Sequence, residues 1–452
     1  SKKSTGFINT MSLDERIISI QCRQIGERKM KKVMRWILML SIGAGIGTAG
    51  CTRAYQTSGE EWITEEKECV LKICISRTDW EDAVTYLTDS YLESHPEIDD
   101  IQWELIEENA YWNLMDMKLA LNQLPDIMEV GGGEELVSWY HHLEPLESIW
   151  QEKKQEEWVQ EGSLIHEIPY SVPIAVYGKG ILYNKRILEE AGWNHIPNTY
   201  RELEQLCKDL EDQNIRPFMN TCYDVTSYAE TTLLQMISMK LHPQLYYTLL
   251  KNKHQGLIVL DQEWNQMVNF IELTKRYGNR RSLEMEKSLA RNYFFIEKYA
   301  MLTNDGSYCI KDMKTVEEAG KGEIVIGPLL MSNIPEKNQL QLNVVRLGIM
   351  RKSEKKEEAE AFLDWIFHSN QAADILIKYA GAIPAEKNLR KNLTDIAIQT
   401  NAYIKAGKVT EDMKGKIPNS IYEDSWELWV KYLAGELNMQ EFLVEYQKFL
   451  KS

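Results

Sequence analysis

Residues 68–76 read ECVLKICIS and alternate apolar with polar side chains, which predicts a half-buried β-strand. Apolar side chains at helical spacing follow over 81–94, and IQWELI at 101–106 is typical of a second strand. A helix over 110–123 and the strand DIMEV at 126–130 complete the series. Strand–helix–strand–helix–strand is the order of a parallel sheet covered by helices, so the sequence predicts an α/β fold.

The rest of the chain continues this mixture of strands and helices. Thr199 is the predicted N-cap of a helix, with Glu202 three residues on as in a capping box. No internal repeat or low-complexity tract interrupts the series. Further strands are predicted at 165–170, 180–184, 323–328 and 343–350, and further helices at 134–140, 146–160, 185–191, most of 226–300, 355–379 as a pair, and 421–451.

Charge is unevenly distributed along the chain. The 452 residues carry a net charge of −16, but residues 1–51 carry +6, so the remainder carries −22. An acidic body argues against nucleic acid as the main partner, because phosphate binding needs a positive field. The hydrophobic fraction of 44% excludes the disordered, collagen-like and disulfide-knot classes.

The basic start of the chain has the pattern of an export signal. Lys29–Arg35 is basic, and Trp36–Gly50 is uncharged but short for a transmembrane span, as in a secretory signal peptide. Thr48–Cys51 resembles the bacterial lipobox, with Thr48 in place of the usual large aliphatic residue. A retained membrane anchor is the alternative. The expected segments are an over-extended N-terminus (1–29), a lipoprotein signal peptide (30–50), and the lipidated Cys51 with a polar tether (51–66).

Cysteine and histidine usage gives no sign of a metal site. Five cysteines follow the leader, an odd number that cannot all pair internally. The eight histidines are scattered, and no Cys/His group has the spacing of a zinc site. We expect neither a metal nor a cofactor.

A series of short motifs resembles one protein family in both content and order. These motifs are Leu124–Met128, His142–Leu146, Ile168–Ser171, Leu182–Lys185, Glu190–Gly192, Pro197–Leu203, Ala300–Tyr308, Leu347–Ile349, Lys356–Leu363 and Tyr379–Ala385. Together they resemble the extracellular solute-binding proteins of ABC importers, in particular the carbohydrate-binding branch related to maltose-binding protein. Departures fall at Tyr200, Asp305 and Tyr308, which leaves the fold expectation intact and the identity of the ligand open.

The resemblance implies a periplasmic-binding-protein-like type II fold, with two α/β lobes joined by crossover hinge strands and a ligand cleft between them. Lobe one would hold 67–172 and 330–385, and lobe two 176–329 and 386–452. The protein would be lipid-anchored to the outer face of the bacterial cytoplasmic membrane. It would deliver a sugar or oligosaccharide to ABC permease subunits by hinge closure.

The chemistry of sugars indicates what the cleft should contain. Aromatic rings stack on sugar faces, and polar side chains bond the hydroxyls. Because ligands lie beyond the carboxyl ends of strands in α/β sheets, loops after strands supply the candidates. Tyr177 and Tyr422 are further possibilities. The predicted ligand-binding residues are Arg77, Asp79, Trp80, Glu129, Gly131, Gly132, Tyr170, Asn304, Gly306, Ser307, Tyr308, Gly381 and Trp426.

Three other functions stay open at this point. A secreted glycoside hydrolase needs two carboxylates across the scissile bond, and no motif singles out such a pair. A binding protein for a cationic or other polar solute, such as a polyamine, peptide or amino acid, could use Asp79, Glu129 and Asp305. A protein that binds its ligand for signalling rather than import would have the same sequence features.

Overall fold

The computed structural model describes the chain from residue 69 onward, with gaps. The predicted leader, Cys51 and its tether lie outside the described residues, as do Ser307 and Tyr422. Most of the helical stretch predicted between 226 and 261 lies outside them as well. The described residues are 69–150, 155, 157–225, 228–229, 232–233, 262–306, 308–309, 323–410 and 424–451.

The described strands follow the alternation expected from the sequence. The first three, each predicted within one to three residues of its bounds, are separated by helices. The strands are β1 (Val70–Ile75), β2 (Asp100–Leu105), β3 (Ile127–Glu129), β4 (Leu164–Ile165), β5 (Ile168–Pro169), β6 (Val172–Asn184), β7 (Phe218–Met219), β8 (Met301–Gly306), β9 (Ile324–Gly327), β10 (Leu340–Ile349), β11 (Ile383–Pro384) and β12 (Val409–Thr410).

The described helices lie between and after these strands. They are α1 (Glu81–Ser94), α2 (Glu108–Ala120), α3 (Glu134–Trp139), α4 (Glu157–Glu161), α5 (Lys185–Glu190), α6 (Tyr200–Asp212), α7 (Gln262–Arg276), α8 (Lys287–Phe295), α9 (Lys356–His368), α10 (Asn370–Ala380), α11 (Asp395–Lys405), α12 (Trp426–Ala434) and α13 (Met439–Lys451). Short 3-10 helices span Thr78–Trp80, Tyr140–His142, Ser282–Glu284, Pro335–Lys337 and Lys387–Leu389. Each described helix is too short or too polar to cross a bilayer.

One sheet collects strands that are far apart in the chain. Its order is β2-β1-β3-β10-β6-β8-β7, with β9 and β11 paired to β6 and β12 paired to β10. Strands β1, β2 and β3 run parallel, whereas β10 is antiparallel to both β3 and β6. Strand β10 therefore returns from late in the sequence to lie between β3 and β6.

Strand β6 belongs to both halves of the molecule. Its first part pairs with β10 between Val172 and Lys179, and its second part pairs with β8 and β9 up to Asn184. The sequence predicted only 180–184 as strand. The first half was missed because nearly all of it is buried on both faces, so it lacks the alternation that marks a half-buried strand.

Two large hydrophobic cores flank β6. One surrounds β1, α1, β10 and α9 and takes in Val176 and Tyr177. The other surrounds α6, α7, α12 and α13 and takes in Ile181 and Tyr183. Leu182, between Ile181 and Tyr183, belongs to the first core, so the second part of β6 faces one core on each side of the sheet.

The capping box predicted at the start of the helix that follows Thr199 is confirmed. Thr199 Oγ1 accepts a hydrogen bond from the Glu202 N–H at 3.2 Å, and Glu202 Oε2 accepts one from the Asn198 N–H at 2.7 Å. The first bond satisfies a donor in the first turn of α6, and the second ties the residue before the N-cap to that turn. The predicted helix pair over 355–379 is also confirmed, as α9 and α10.

Two predicted elements were wrong. The single strand at 165–170 is a tight hairpin of β4 and β5, because His166 and Glu167 both take positive φ, at 50° and 67°. The predicted helix over 146–160 begins at 157 in the described residues. The Leu146 N–H donates to the Pro169 carbonyl, so contact with the hairpin prevails over local helical spacing there.

Candidate functional site

The carboxyl ends of β1 and β3 bring Arg77 to Glu129. Arg77 Nε lies 3.5 Å from Glu129 Oε1, and Glu129 Oε2 accepts the Ser76 N–H at 2.8 Å. The Arg77 guanidinium also donates to Asn343 Oδ1 on β10 and lies over the ring of Tyr177 on β6, 5.4 Å from its centroid. One arginine therefore joins side chains from three strands of the sheet.

The environment keeps Arg77 charged. Burial by itself would lower the pKa of the guanidinium, but the carboxylates of Glu129 and Asp79 hold that pKa above its ordinary value. The side chains of Arg77 and Glu129 are each 13% exposed, so their attraction is only weakly screened by water. The half-buried Asp79 carboxylate forms no hydrogen bond within the part of the chain that the structure describes.

Trp80 packs inside the protein against Tyr177 instead of facing a cleft. Its side chain is fully buried, and its Nε1–H donates to Tyr177 Oη at 2.8 Å. The predicted stacking of a ligand on Trp80 has no support in this geometry, because no ring face is exposed. Trp80 instead fixes the orientation of the Tyr177 ring.

Tyr177 also contacts the side chains that follow β8. Its ring lies 6.1 Å from the ring of Tyr308, edge to face at 76°. Tyr308 is half-buried, in a turn in which Cys309 N–H donates to the Gly306 carbonyl. The ammonium of Lys287 lies 4.7 Å from the Tyr308 centroid, and the Arg291 guanidinium lies 5.2 Å away. Two cations thus stand at the face of this ring.

The Tyr308 hydroxyl is buried and has no hydrogen-bond acceptor among the residues that the structure describes. Burial, helped by Asp305, raises the pKa of the phenol well above its ordinary value, while Lys179 and Arg291 act against that rise. The hydroxyl is therefore protonated at neutral pH and able to donate.

A buried ion pair supports the Tyr308 turn. Arg291 Nε and Nη2 donate to Asp305 Oδ2 and Oδ1 at 2.8 and 3.0 Å, and the Gly306 N–H donates to Oδ1 at 2.9 Å. Burial would raise the pKa of the Asp305 carboxyl, but Arg291 and Lys287 lower it below its ordinary value. Asp305 is fully buried, so this pair anchors the end of β8 to α8.

The predicted glycines have packing roles in this structure. A Cβ on Gly132 would come within 3.1 Å of the Gly162 carbonyl oxygen, and one on Gly162 within 2.3 Å of the buried Arg346 guanidinium. A Cβ on Gly131 would meet the flexible end of Glu135. The segment accommodates neighbouring protein atoms, whereas the sequence predicted close approach to a ligand.

The remaining predicted residues are dispersed. Tyr170 is 9% exposed and packs edge to face on Tyr140. Gly381 ends α10 with a φ of +64°, a role that glycine fills at helix ends. Trp426 is 52% exposed at the start of α12, whereas Trp429, three residues on, is fully buried in the second core.

Gly306 and Asn304 lie at the end of β8. A Cβ on Gly306 would be 2.1 Å from the Gly178 carbonyl oxygen, so only glycine allows β6 and β8 to approach this closely. Asn304 lies two residues before it on the same strand. Both therefore sit on the strand that leads into the Tyr308 turn.

The structure thus brings together four predicted residues: Arg77, Asp79, Glu129 and Tyr308. It adds Tyr177, which the sequence offered as a possibility, and side chains that sequence reasoning missed: Lys179, Lys287, Arg291 and Asn343. Polar residues inside otherwise apolar strands were the available signal for Lys179 and Asn343. We call the residues Arg77, Asp79, Glu129, Tyr177, Lys179, Lys287, Arg291, Asp305, Tyr308 and Asn343 the crossover site. Across the described residues, no group of His, Cys, Asp and Glu could hold a metal ion.

Known proteins resemble this chain in sequence and in fold. A family model for bacterial extracellular solute-binding proteins matches residues 75–373. Over 207 residues the chain is 24% identical to the melibiose/raffinose/stachyose-binding protein MelE of Bacillus subtilis (strain 168). That match spans 42% of this chain and 44% of MelE, so it covers less than half the length of that relative.

Solved structures match over much more of the chain. The solute-binding protein RafE in complex with raffinose has a TM-score of 0.70 at 14% identity, covering 84% of this chain and 98% of RafE. Maltose-bound MalE3 of T. maritima has a TM-score of 0.71 at 15% identity, covering 85% of this chain and 99% of MalE3. These matches confirm the predicted fold class, two α/β lobes joined by crossover strands.

Proposed function

Since the chain belongs to the family of bacterial extracellular solute-binding proteins, we propose that it captures a sugar or oligosaccharide at the crossover site. The carrying observation is that Arg77 and Tyr308, which are both partly exposed, lie on either side of the buried Tyr177 ring of β6, the strand that joins the two halves of the sheet. Aromatic rings suit the C–H faces of a sugar, and the neighbouring charged groups suit its hydroxyls. MelE is a melibiose/raffinose/stachyose-binding protein, and the structures of RafE and MalE3 contain raffinose and maltose, which supports the same ligand class.

The proposed mechanism is closure of two lobes on the ligand. Lobe one would comprise 67–172 and 330–385, and lobe two 176–329 and 386–452. Arg77 and Glu129 belong to the first lobe and Tyr308 to the second, so a ligand between them contacts both only in the closed state. Binding then shifts the population toward that state.

Delivery to a membrane permease completes the proposal. The closed form would dock on ABC permease subunits at the outer face of the cytoplasmic membrane. The expected signal peptide and the lipid on Cys51 would keep the protein there, since two or more acyl chains give stable anchoring. Membership of an extracellular family supports export.

The chain is a binding protein and not an enzyme. The family and the matching folds are those of solute-binding proteins. The family therefore favours a binding protein over the secreted glycoside hydrolase that the sequence left open.

A cationic ligand such as a polyamine is the second candidate, and the crossover site disfavours it. Of the three carboxylates that could serve it, Glu129 is paired with Arg77 and Asp305 with Arg291. Asp79 differs from the other two in forming no ion pair with any described residue. A polyamine needs several carboxylates, each free to pair with an ammonium group.

A thermal-shift screen of the mature chain tests the proposal. The panel combines neutral and acidic oligosaccharides with polyamines, amino acids and short peptides. Because a ligand that binds only the folded state raises the unfolding temperature, at least one oligosaccharide should stabilise the protein. Stabilisation by a polyamine or amino acid, with no response to any sugar, would overturn the proposed ligand class.

A further inference from the structure

Two lysines at the crossover site have no carboxylate within ion-pair distance among the described residues. Within the described part of the chain, the ammonium groups of Lys179 and Lys287 form neither an ion pair nor a hydrogen bond. Both side chains are half-buried. Partly buried cations without a counter-ion are unusual, because losing water disfavours the charged form. Their charge is therefore available to a ligand.

The acidic group closest to these lysines is already neutralised. Asp305 accepts two hydrogen bonds from Arg291, so the pair carries no net charge. Lys179 and Lys287 then leave this side of the crossover site with an excess of two positive charges. The Tyr308 ring lies 4.7 Å from the Lys287 ammonium, and Lys179 pairs with Gly306, two residues before Tyr308. The Tyr308 hydroxyl, which has no partner among the described residues, adds a neutral donor.

The other side of the crossover site, which contains Arg77, Glu129 and Asp79, has a net negative charge. Arg77 is paired with Glu129, which leaves Asp79 as the net charge there. Tyr177 lies between the two sides, since its ring contacts both Arg77 and Tyr308. Tyr177 itself is fully buried, so a ligand would contact the groups on its two sides: an acceptor on one, and three donors, two of them cationic, on the other.

We infer that the ligand is an acidic sugar, an oligosaccharide whose uronate carboxylate lies against Lys179, Lys287 and the Tyr308 hydroxyl. This inference rests on the proposed function and specifies its substrate class. Charge-assisted hydrogen bonds from ammonium groups to a carboxylate are stronger than bonds to a neutral hydroxyl. Asp79 at the other end accepts hydrogen bonds from sugar hydroxyls and repels a second carboxylate there, which orients the ligand.

Calorimetric titration with matched sugars tests the inference. The probes are oligogalacturonates, glucuronoxylo-oligosaccharides and alginate oligomers, each compared with a neutral oligosaccharide of the same length and linkage. At least one uronate should bind about tenfold or more tighter than its neutral counterpart, because a hydrogen bond to a charged group contributes more than one to a neutral group. Its affinity should fall as salt is raised.

Lysine variants identify the residues responsible. Lys287→Met should weaken binding of that uronate about tenfold and leave the affinity for its neutral counterpart nearly unchanged. Lys298→Met is the matched control, because Lys298 is exposed just beyond the other end of the same helix, α8. It should leave both affinities unchanged.

The outcomes separate this inference from the proposed function. If neutral sugars bind and no uronate binds better, the acidic-sugar inference is wrong and the sugar-binding function stands. If no sugar of either kind binds, the proposed function fails and the inference fails with it. Equal weakening by Lys287→Met and Lys298→Met would also contradict the inference.

Discussion

The crossover site contains two arginine–carboxylate pairs, and the geometry of the two ion pairs differs. Arg291 and Asp305 form a two-pronged pair at 2.8 and 3.0 Å around a fully buried carboxylate. Arg77 and Glu129 approach only to 3.5 Å, and Arg77 divides its remaining contacts between Asn343 and the face of Tyr177. The first pair uses the geometry that suits a guanidinium and a carboxylate best.

The difference in geometry indicates that one pair anchors the fold and the other takes part in ligand binding. The Arg291–Asp305 pair joins α8 to the end of β8 and uses both carboxylate oxygens. Arg77 Nε has no hydrogen-bond partner among the described residues, so this arginine is held less completely than Arg291. We therefore expect loss of the first pair to affect stability most, and loss of the second to affect ligand binding more than stability.

Asp305→Asn should give the largest loss of stability. The substitution leaves the nearly buried Arg291 guanidinium without its counter-charge, and breaking such a pair costs about 3–5 kcal/mol. Urea unfolding measures the free energy of unfolding. Arg281→Met is the control, because Arg281 and Glu284 form an ion pair in which both side chains are mostly exposed. Similar losses for the two variants would show that the buried pair is no anchor.

Glu129→Gln should cost less, about 1–3 kcal/mol. The glutamine can still accept the Ser76 N–H, and Arg77 retains Asn343 and Tyr177. Ligand affinity should fall along with stability, because Arg77 loses the carboxylate that positions it. The same urea titrations, with calorimetry on the best ligand, measure both. If Glu129→Gln lost more stability than Asp305→Asn, the Arg77–Glu129 pair would be the stronger anchor of the two, contrary to this account.

Tyr177→Phe should have a smaller effect, about 1–2 kcal/mol on the free energy of unfolding. It removes the acceptor of the Trp80 N–H and leaves that buried donor unsatisfied, while the ring contacts with Arg77 and Tyr308 remain. Thermal unfolding measures the change. No change at all would mean that the Trp80 hydrogen bond does not orient the ring.

Lowering the pH should produce the smallest of these changes in the free energy of unfolding. The folded-state pKa of Asp305 lies below its ordinary value of 3.8, so its stabilising contribution is complete above about pH 4 and is lost as the pH falls through the folded-state pKa. The stability difference between the wild-type protein and Asp305→Asn should therefore narrow at low pH. A constant difference from pH 7 to pH 3 would contradict the depressed pKa.

Much of the fold could be predicted from the sequence because its signals are local. The alternation at 68–76 marked β1, and Thr199 with Glu202 marked the start of α6. Strand β6 was predicted only in part, because an apolar strand buried on both faces lacks a period of two. Its extent depends on pairing with strands far away in the chain.

Less of the crossover site could be predicted, because its members meet only through long-range pairing. Arg77 and Asn343 lie 266 residues apart in the chain, and nothing local to either indicates the contact. Trp80 follows a strand end, as a contact residue would, yet its indole turns inward to Tyr177. Position after a strand predicts the place of a side chain and not the direction in which its ring faces.

Calorimetric titration of Tyr308→Ala beside Trp426→Ala, with the oligosaccharide that stabilises the wild-type protein most, tests the central claim most directly. Tyr308 lies in the crossover site, whereas Trp426 is the exposed aromatic at the start of α12. Loss of an aromatic face that packs on the sugar should weaken binding at least about tenfold in Tyr308→Ala, with wild-type affinity in Trp426→Ala. Wild-type affinity in Tyr308→Ala, together with lost binding in Trp426→Ala, would contradict the claim that the ligand binds at the crossover site.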